Sequence, residues 1–390
     1  MKLLWKQFVP AFDSFRSAAW GSFLILLILS GWLVACVNEP AAVITAQPEL
    51  EMTVFATQTT LPSPTSTTYF PTAIFEMETA VSPPSTSLPP TATPTILPIP
   101  TPNPYADLTI DALTARGYGD GELNIIDTLE ENETFTRYLI TYPSDGLTVY
   151  GFMNVPNEGS KFPVVLLLHG YIDPAVYDTV TYTRRYADAL AEAGYFVIHP
   201  NFRNYPPSDS GPNPYRIGYA IDALNLIAII REQSQEPLGY LRRADADRIH
   251  LWGHSMGGGV VLRVITVLNE PYLRAAVLYG SMSGDEQQNY EQIQVWTGGR
   301  GGAFELAADP ELLAAISPSN FLKRITTPIS IHHSEGDETV PIAWSNALCQ
   351  QLGELNHPVE CHTYYATPHT FRGQSDRLFM ERVVRFFDEN

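Results

Sequence analysis

Ser255 stands in Gly253-His254-Ser255-Met256-Gly257, a G-x-S-x-G pentapeptide. The apolar residues Ile249 to Trp252 before it read as a short buried strand, and Gly257-Gly258-Gly259 followed by Val260 to Ile265 reads as the start of a helix. A serine on a sharp strand-to-helix turn is forced outward, and flanking glycines let the chain bend without a Cβ clash. The chemistry this setting serves is nucleophilic attack, which needs a base to take the hydroxyl proton and an acid to orient the base. In a sheet that carries such an elbow the carboxylate and then the histidine follow the serine along the chain. Asp337 lies in Ser334-Glu335-Gly336-Asp337-Glu338, just past a predicted strand ending at His333. That is the edge where ligands bind in open α/β sheets. Glu335 and Glu338 compete with it; Gly336, which permits a tight turn, favours Asp337. For the base, His369 lies in the loop Ala366-Thr367-Pro368-His369-Thr370-Phe371 after the last predicted strand. His357, before a proline, and His362, inside that strand, are its rivals.

Holding three such side chains together requires a scaffold, and the pattern from 105 to 390 supplies one. Segments 123–127, 135–141 and 148–155 alternate like antiparallel strands, the last two joined by Pro143-Ser144-Asp145-Gly146. Val164-Val165-Leu166-Leu167-Leu168 is a continuous apolar run, as expected of a central parallel strand covered on both faces. Further strands are expected at 195–199, 249–252, 275–279, 329–333 and 360–365. Helices are expected near 182–192, 217–231, 342–352 and 376–387. This alternation predicts a mostly parallel, doubly wound α/β sheet with antiparallel N-terminal strands. Residues 281–316, rich in Gly, Gln and acidic groups, interrupt the rhythm and read as a lid near the site or as a plain excursion.

These pieces resemble the α/β-hydrolase superfamily, and more closely the catalytic domain of the prolyl oligopeptidase family of serine peptidases. The resemblance rests on Pro163 to Gly170 with its terminal His169-Gly170, on His199-Pro200-Asn201-Phe202-Arg203, and on Gly253 to Gly257. It continues through Ser317-Pro318-Ser319-Asn320, Ile325-Thr326-Thr327-Pro328, Asp337 to Pro341 and His369-Thr370-Phe371. It implies Ser255 as nucleophile, Asp337 as orienter and His369 as general base. The backbone N–H groups of Met256 and Tyr171 are then the expected oxyanion donors. Some relatives use a tyrosine hydroxyl instead, for which Tyr171 or Tyr177 would serve. Tyr171 stands where many members have another glycine, and Arg203-Asn204-Tyr205-Pro206 where the family often has Arg-Gly-x-Gly. His169 reads as structural and His254 as a packing residue of the elbow. His332 and His333, adjacent on a strand, point to opposite faces and cannot easily share one ion. No metal and no cofactor are expected.

The 390 residues carry 23 Lys and Arg against 42 Asp and Glu, a net charge of -19. So acidic a chain is a poor partner for phosphate backbones, and no nucleic-acid partner is expected. Residues 1–36 hold a basic start, the run Phe23 to Leu29 and then Leu33-Val34-Ala35-Cys36. The run is short for a membrane span and closes on small residues, as a signal segment does. Leu-Val-Ala-Cys also resembles the lipobox of bacterial lipoproteins, which implies lipidation of Cys36, a membrane partner and an extracytoplasmic location. Plain secretion and an uncleaved N-terminal anchor are the alternatives. Residues 37–104 contain 14 Pro and 15 Thr with no sustained period, and read as a disordered stalk. With Cys36 lipidated, Cys349 and Cys361 remain as a candidate disulfide, suited to an oxidising compartment.

Three functions stay open. The family resemblance points to a serine peptidase cleaving amide bonds of small peptides through an acyl-enzyme. About 60 residues between stalk and Val164 are too few for the β-propeller of typical oligopeptidases, which favours a carboxylesterase or related acyl hydrolase. An inactive hydrolase fold serving as a binding module is the third.

Overall fold

The central strand shows how the sequence builds the sheet. In the computed structural model, which describes residues 103–390, β4 (Phe162–Leu168) has Val164, Leu166 and Leu168 in one hydrophobic core and Val165 and Leu167 in another. Its side chains alternate, so an unbroken apolar run is what a strand covered on both faces requires. Nine strands are described: β1 (Asn124–Glu131), β2 (Phe135–Ser144), β3 (Leu147–Pro156), β4, β5 (Phe196–Pro200), β6 (Ala244–His254), β7 (Leu273–Tyr279), β8 (Ile329–Ser334) and β9 (Val359–Tyr364). Their order is β1-β2-β3-β5-β4-β6-β7-β8-β9 in one sheet. β1, β2, β3 and β5 pair antiparallel; from β5 to β9 every pairing is parallel. Parallel neighbours need crossovers, and the helices provide them.

The helices are α1 (Ile110–Ala115), α2 (Arg184–Glu192), α3 (Gly218–Gln233), α4 (Met256–Val267), α5 (Glu286–Trp296), α6 (Ala303–Leu306), α7 (Pro310–Ile316), α8 (Ile342–Glu354) and α9 (Gly373–Glu389). Core residues of α1, α3, α4 and α8 belong to one face of the sheet, and those of α2 and α9 to the other. α3 and α4 are apolar nearly all round, since they are pressed between the sheet and other segments. The expected fold class is therefore what the chain adopts.

The expected strands and helices are present, with shifted ends. The strand expected at 249–252 runs from Ala244 to His254, because its charged first half pairs with β4 at the sheet's lower edge. Segment 281–316 is not strand-like: it winds into α5, α6 and α7, and buries Tyr290, Leu312, Leu313 and Ile316. Cys349 on α8 and Cys361 on β9 are bridged, with Cα atoms 6.5 Å apart. The readings for residues 1–36 and 37–102, Cys36 included, lie outside the described residues. Among the described residues no helix is long and apolar enough to cross a membrane.

Candidate active site

The turn between β6 and α4 is tighter than ordinary backbone allows. Ser255 has φ 56° and ψ -118°, a left-handed conformation that a residue with a Cβ rarely adopts. Backbone hydrogen bonds hold it there. Its N–H donates to Tyr279 O at the end of β7 (2.9 Å), and its own carbonyl accepts from Gly258 and Met282. Gly253 and Gly257 are required for close approach: a Cβ on Gly257 would lie 2.0 Å from Leu168 O, and one on Gly253 would lie 2.3 Å from Gly257 O. The turn thereby lifts the serine to the rim while α4 starts directly beneath it. The positive end of the helix dipole and the free N–H groups of its first turn face that rim. Among the described residues, neither the Met256 nor the Tyr171 N–H donates to the protein.

Asp337 follows the end of β8. Ser334 stitches this loop to the one bearing His369, donating to Thr367 O (2.5 Å) and accepting from Thr367 N and Gly336 N. Gly336 is needed for that seam rather than for a special φ: a Cβ there would lie 2.9 Å from Thr367 O. The Asp337 carboxylate is nearly buried and fully occupied. Oδ1 accepts from the Thr339 and Val340 N–H groups (2.9 and 2.8 Å), and Oδ2 lies 2.7 Å from His369 Nδ1 and 3.0 Å from His333 Nε2. Burial alone would raise its pKa. The hydrogen bonds from His333 and His369, together with the Val340 N–H, outweigh it and hold the carboxyl well below the usual carboxylate range.

His369 is held by ring and backbone. Its Nδ1 is against Asp337, its N–H donates to Glu338 Oε2 (3.2 Å), and its ring lies 4.6 Å from that of His254. The Phe371 N–H donates to the Tyr279 hydroxyl and anchors the loop's far side. Among the described residues no hydrogen bond engages His369 Nε2 or the Ser255 hydroxyl. An imidazole with one nitrogen fixed on a carboxylate and the other free is equipped to take a hydroxyl proton.

The structure joins His369 to Asp337, Ser255 directly follows His254, whose ring lies against that of His369, and the rivals are engaged elsewhere or by backbone. His357 Nε2 is engaged by Thr327 O (2.9 Å), His362 by Glu360 on β9, and Glu338 by the His369 backbone. Tyr177 is unavailable as an oxyanion donor, because its hydroxyl is buried between His199 Nε2 and Asn201 Oδ1, 3.0 Å from each. The Tyr171 side chain is 68 % exposed. His169 is buried, with Nε2 2.8 Å from Asn201 O, as a structural residue. Asn204, standing where relatives have glycine, has φ 67°, a conformation asparagine tolerates.

Two site residues escaped the sequence. His333 was set aside with His332, yet it reaches Asp337 four positions on, through a turn with no helical period to betray it. Tyr182, whose hydroxyl lies 2.7 Å from His254 Nδ1, precedes α2 and is distant in sequence from everything it touches. His332 does turn to the opposite face, toward Ser330 and Tyr364, and groups with Glu360 and His362. His332 and Glu360 are already engaged, Ser330 Oγ meeting His332 Nε2 and Glu360 Oε1 and Arg385 pairing with Glu360 Oε2 (2.9 Å), while His362 Nε2 lies 3.0 Å from Glu360 Oε1 without a hydrogen bond.

Comparison with known proteins bears on the whole assembly. Residues 163–300 match the alpha/beta hydrolase fold family, and residues 236–390 match the prolyl oligopeptidase family. The chain has the α/β-hydrolase fold. It resembles the catalytic domain of the prolyl oligopeptidase family, a match that supports a serine hydrolase. It is 24% identical over 255 residues to the uncharacterized peptidase YtmA of Bacillus subtilis (strain 168), covering 64% of this chain and 92% of that protein. Among solved structures it is similar to acetyl xylan esterase 1 of Thermoanaerobacterium sp., with a TM-score of 0.52 and 16% identity over 68% of this chain and 88% of the other. It is also similar to the acylaminoacyl peptidase of Pyrococcus horikoshii, with a TM-score of 0.51 and 22% identity over 66% of this chain and 42% of the other. At such identities these two likenesses establish the fold.

Proposed function

We propose that this hydrolase works outside the cytoplasm and cleaves small acyl substrates, amides of short peptides first, through an acyl-enzyme on Ser255. His369 Nε2 removes the Ser255 proton as the oxygen attacks the substrate carbonyl. The Met256 and Tyr171 N–H groups hold the oxyanion, each donor being worth about 100–1,000-fold in rate. The imidazolium, steadied by Asp337, gives its proton to the leaving group. Water then repeats the cycle to release the acid. One observation carries the reading: His369 is clamped on Asp337 through Nδ1 with Nε2 free, and its ring lies 4.6 Å from that of His254, the residue before Ser255 at φ 56°.

Amide substrates are supported by the prolyl oligopeptidase match over residues 236–390 and by the kinship with YtmA. A second reading, a carboxylesterase for short acyl groups, is favoured by the recess beside Met256. Its lining includes Tyr219, Met256, Val260 and Met282 alongside the charged Arg263 and Glu286, and it measures about 40 Å³. That is well below the roughly 150 Å³ that admits a benzene ring. An extracytoplasmic location is supported by the signal-like first 36 residues and by the Cys349–Cys361 bridge. An inactive binding module is disfavoured by the presence of Ser255, Asp337 and His369 together with the His369–Asp337 contact.

The test is turnover of the purified protein on p-nitrophenyl acetate and butyrate beside a panel of aminoacyl and prolyl amides. Amide turnover lost in Ser255→Ala is expected. Ester turnover without any amide turnover would leave the esterase reading, and neither would leave the binding module.

A further inference from the structure

His254 sits directly before the serine and is 1 % exposed. Its ring is stacked on Tyr279 (centroids 4.2 Å, planes 29° apart) and covers one side of His369 (4.6 Å, 33°). Its two nitrogens have different partners. Nε2 lies 3.2 Å from the carbonyl oxygen of His369, and Nδ1 lies 2.7 Å from the Tyr182 hydroxyl. A carbonyl can only accept, so Nε2 must carry hydrogen. Burial, with the nearby His369 adding to it, pushes the pKa of His254 down to about 3. The ring is therefore neutral and has a single proton, which is on Nε2. Nδ1 is then bare, and the Tyr182 O–H donates to it. Tyr182 selects the tautomer, and the tautomer grips the backbone of the residue that bears the base.

The room for this pairing is made by Gly170. A Cβ there would meet the Tyr182 oxygen at 2.2 Å and Ser255 Cβ at 3.0 Å. Tyr182 thus stands beside the nucleophile with its proton committed to His254. The titratable and charged groups facing His254 are His369 and Asp337 at the rim, Arg185 on α2, Tyr182 before it and Tyr279 on β7. No carboxylate hydrogen-bonds to it, so nothing there rewards its protonation.

We infer that His254 is a positioning residue for the general base: held in one tautomer by Tyr182, it fixes the His369 carbonyl and one ring face so that Nε2 stays aimed at Ser255. This rests on the triad reading above. A methionine or phenylalanine at 254 would fill the space and leave the His369 carbonyl without its donor. The opposite tautomer would turn a lone pair toward that oxygen.

The experiment is kcat and KM across pH, per active site titrated with a fluorophosphonate probe, for wild type, His254→Phe, His254→Gln and Tyr182→Phe, with Ser255→Ala compared per mole of protein and Tm measured for each. His254→Phe keeps an aromatic ring and loses the donor; kcat is expected to fall about 10- to 100-fold, as for a base misplaced by a fraction of an ångström, with KM nearly unchanged. His254→Gln, which can return an N–H to the carbonyl, should recover much of that loss. Tyr182→Phe removes one oxygen and frees the tautomer, so kcat should fall several-fold with KM nearly unchanged. Titrated kcat equal to wild type in His254→Phe and Tyr182→Phe, with only Tm lowered, would overturn the inference and leave the triad standing. Turnover surviving in Ser255→Ala would instead remove the triad reading on which it rests.

Discussion

Two clusters in this protein are made of nearly the same parts. At the rim, His254, His333 and His369 surround Asp337; between the sheet and α9, His332 and His362 flank Glu360. Both contain stacked imidazoles and a carboxylate within hydrogen-bond reach. They differ in what is left over. In the second, His332 is spent on Ser330 and Tyr364, Glu360 is held by Ser330 and Arg385, and the nitrogen left over, His362 Nε2, is buried with no hydroxyl bonded to it. In the first, every atom is spent except His369 Nε2 and the neighbouring serine hydroxyl. Residue types alone do not make a site; an unspent proton acceptor held still beside an unspent nucleophile does.

The sharpest way to break this comparison is to remove one partner from each cluster. Ser255→Ala should cost about 10⁶-fold in kcat, whereas Glu360→Gln should leave kcat within about twofold, as expected of a largely surface ion network. Comparable losses would mean that the second cluster also serves the reaction. Asp337→Asn should cost about 10⁴-fold by unsettling the His369 tautomer. His333→Ala, which removes one of the two imidazoles on that carboxylate, should cost far less, about tenfold, as read in kcat/KM.

Acid stability sharpens the contrast in another way. Burial holds the pKa of His254 near 3, with help from His369, and holds that of His332 well below 6.5, with help from His362. The unfolded chain binds these protons near pH 6.5 and the folded chain does not. Stability should therefore be full above pH 6.5 and decline as pH falls toward about 3, as followed by Tm. His332→Gln should flatten that decline without changing kcat; a His254 variant should alter both. The smallest effect expected is that of chelation. A metal chelator should leave turnover unchanged, because Ser330 and Arg385 already hold His332 and Glu360 of the His332–Glu360–His362 group.

The scaffold was the more legible part of the sequence. Parallel strands buried on both faces announce themselves as runs such as Val164 to Leu168, and the G-x-S-x-G turn marks the β6–α4 junction without a structure. Asp337 and His369 could be ranked above their rivals because position after a strand decides which side chains reach the rim. What stayed hidden was contact between residues far apart in sequence: Tyr182 with His254, and Ser334 with Thr367. The helices of 281–316 were hidden for another reason. Their windows are short and polar, and are broken by Gly298, Gly299 and Gly302 at positive φ. Helix α1 had a readable start in Thr109, whose hydroxyl accepts from the Ala112 N–H, but six residues give too little periodicity to stand out.

The claim beneath all of this is that the Ser255 hydroxyl is activated by an imidazole clamped on Asp337. Its most direct test is fluorophosphonate labelling followed by peptide mapping, with wild type and His369→Ala side by side. A single phosphonylated serine at 255 in wild type, with labelling slowed by orders of magnitude in His369→Ala, is the predicted result. Labelling at another serine, or equal rates in the two proteins, would contradict it.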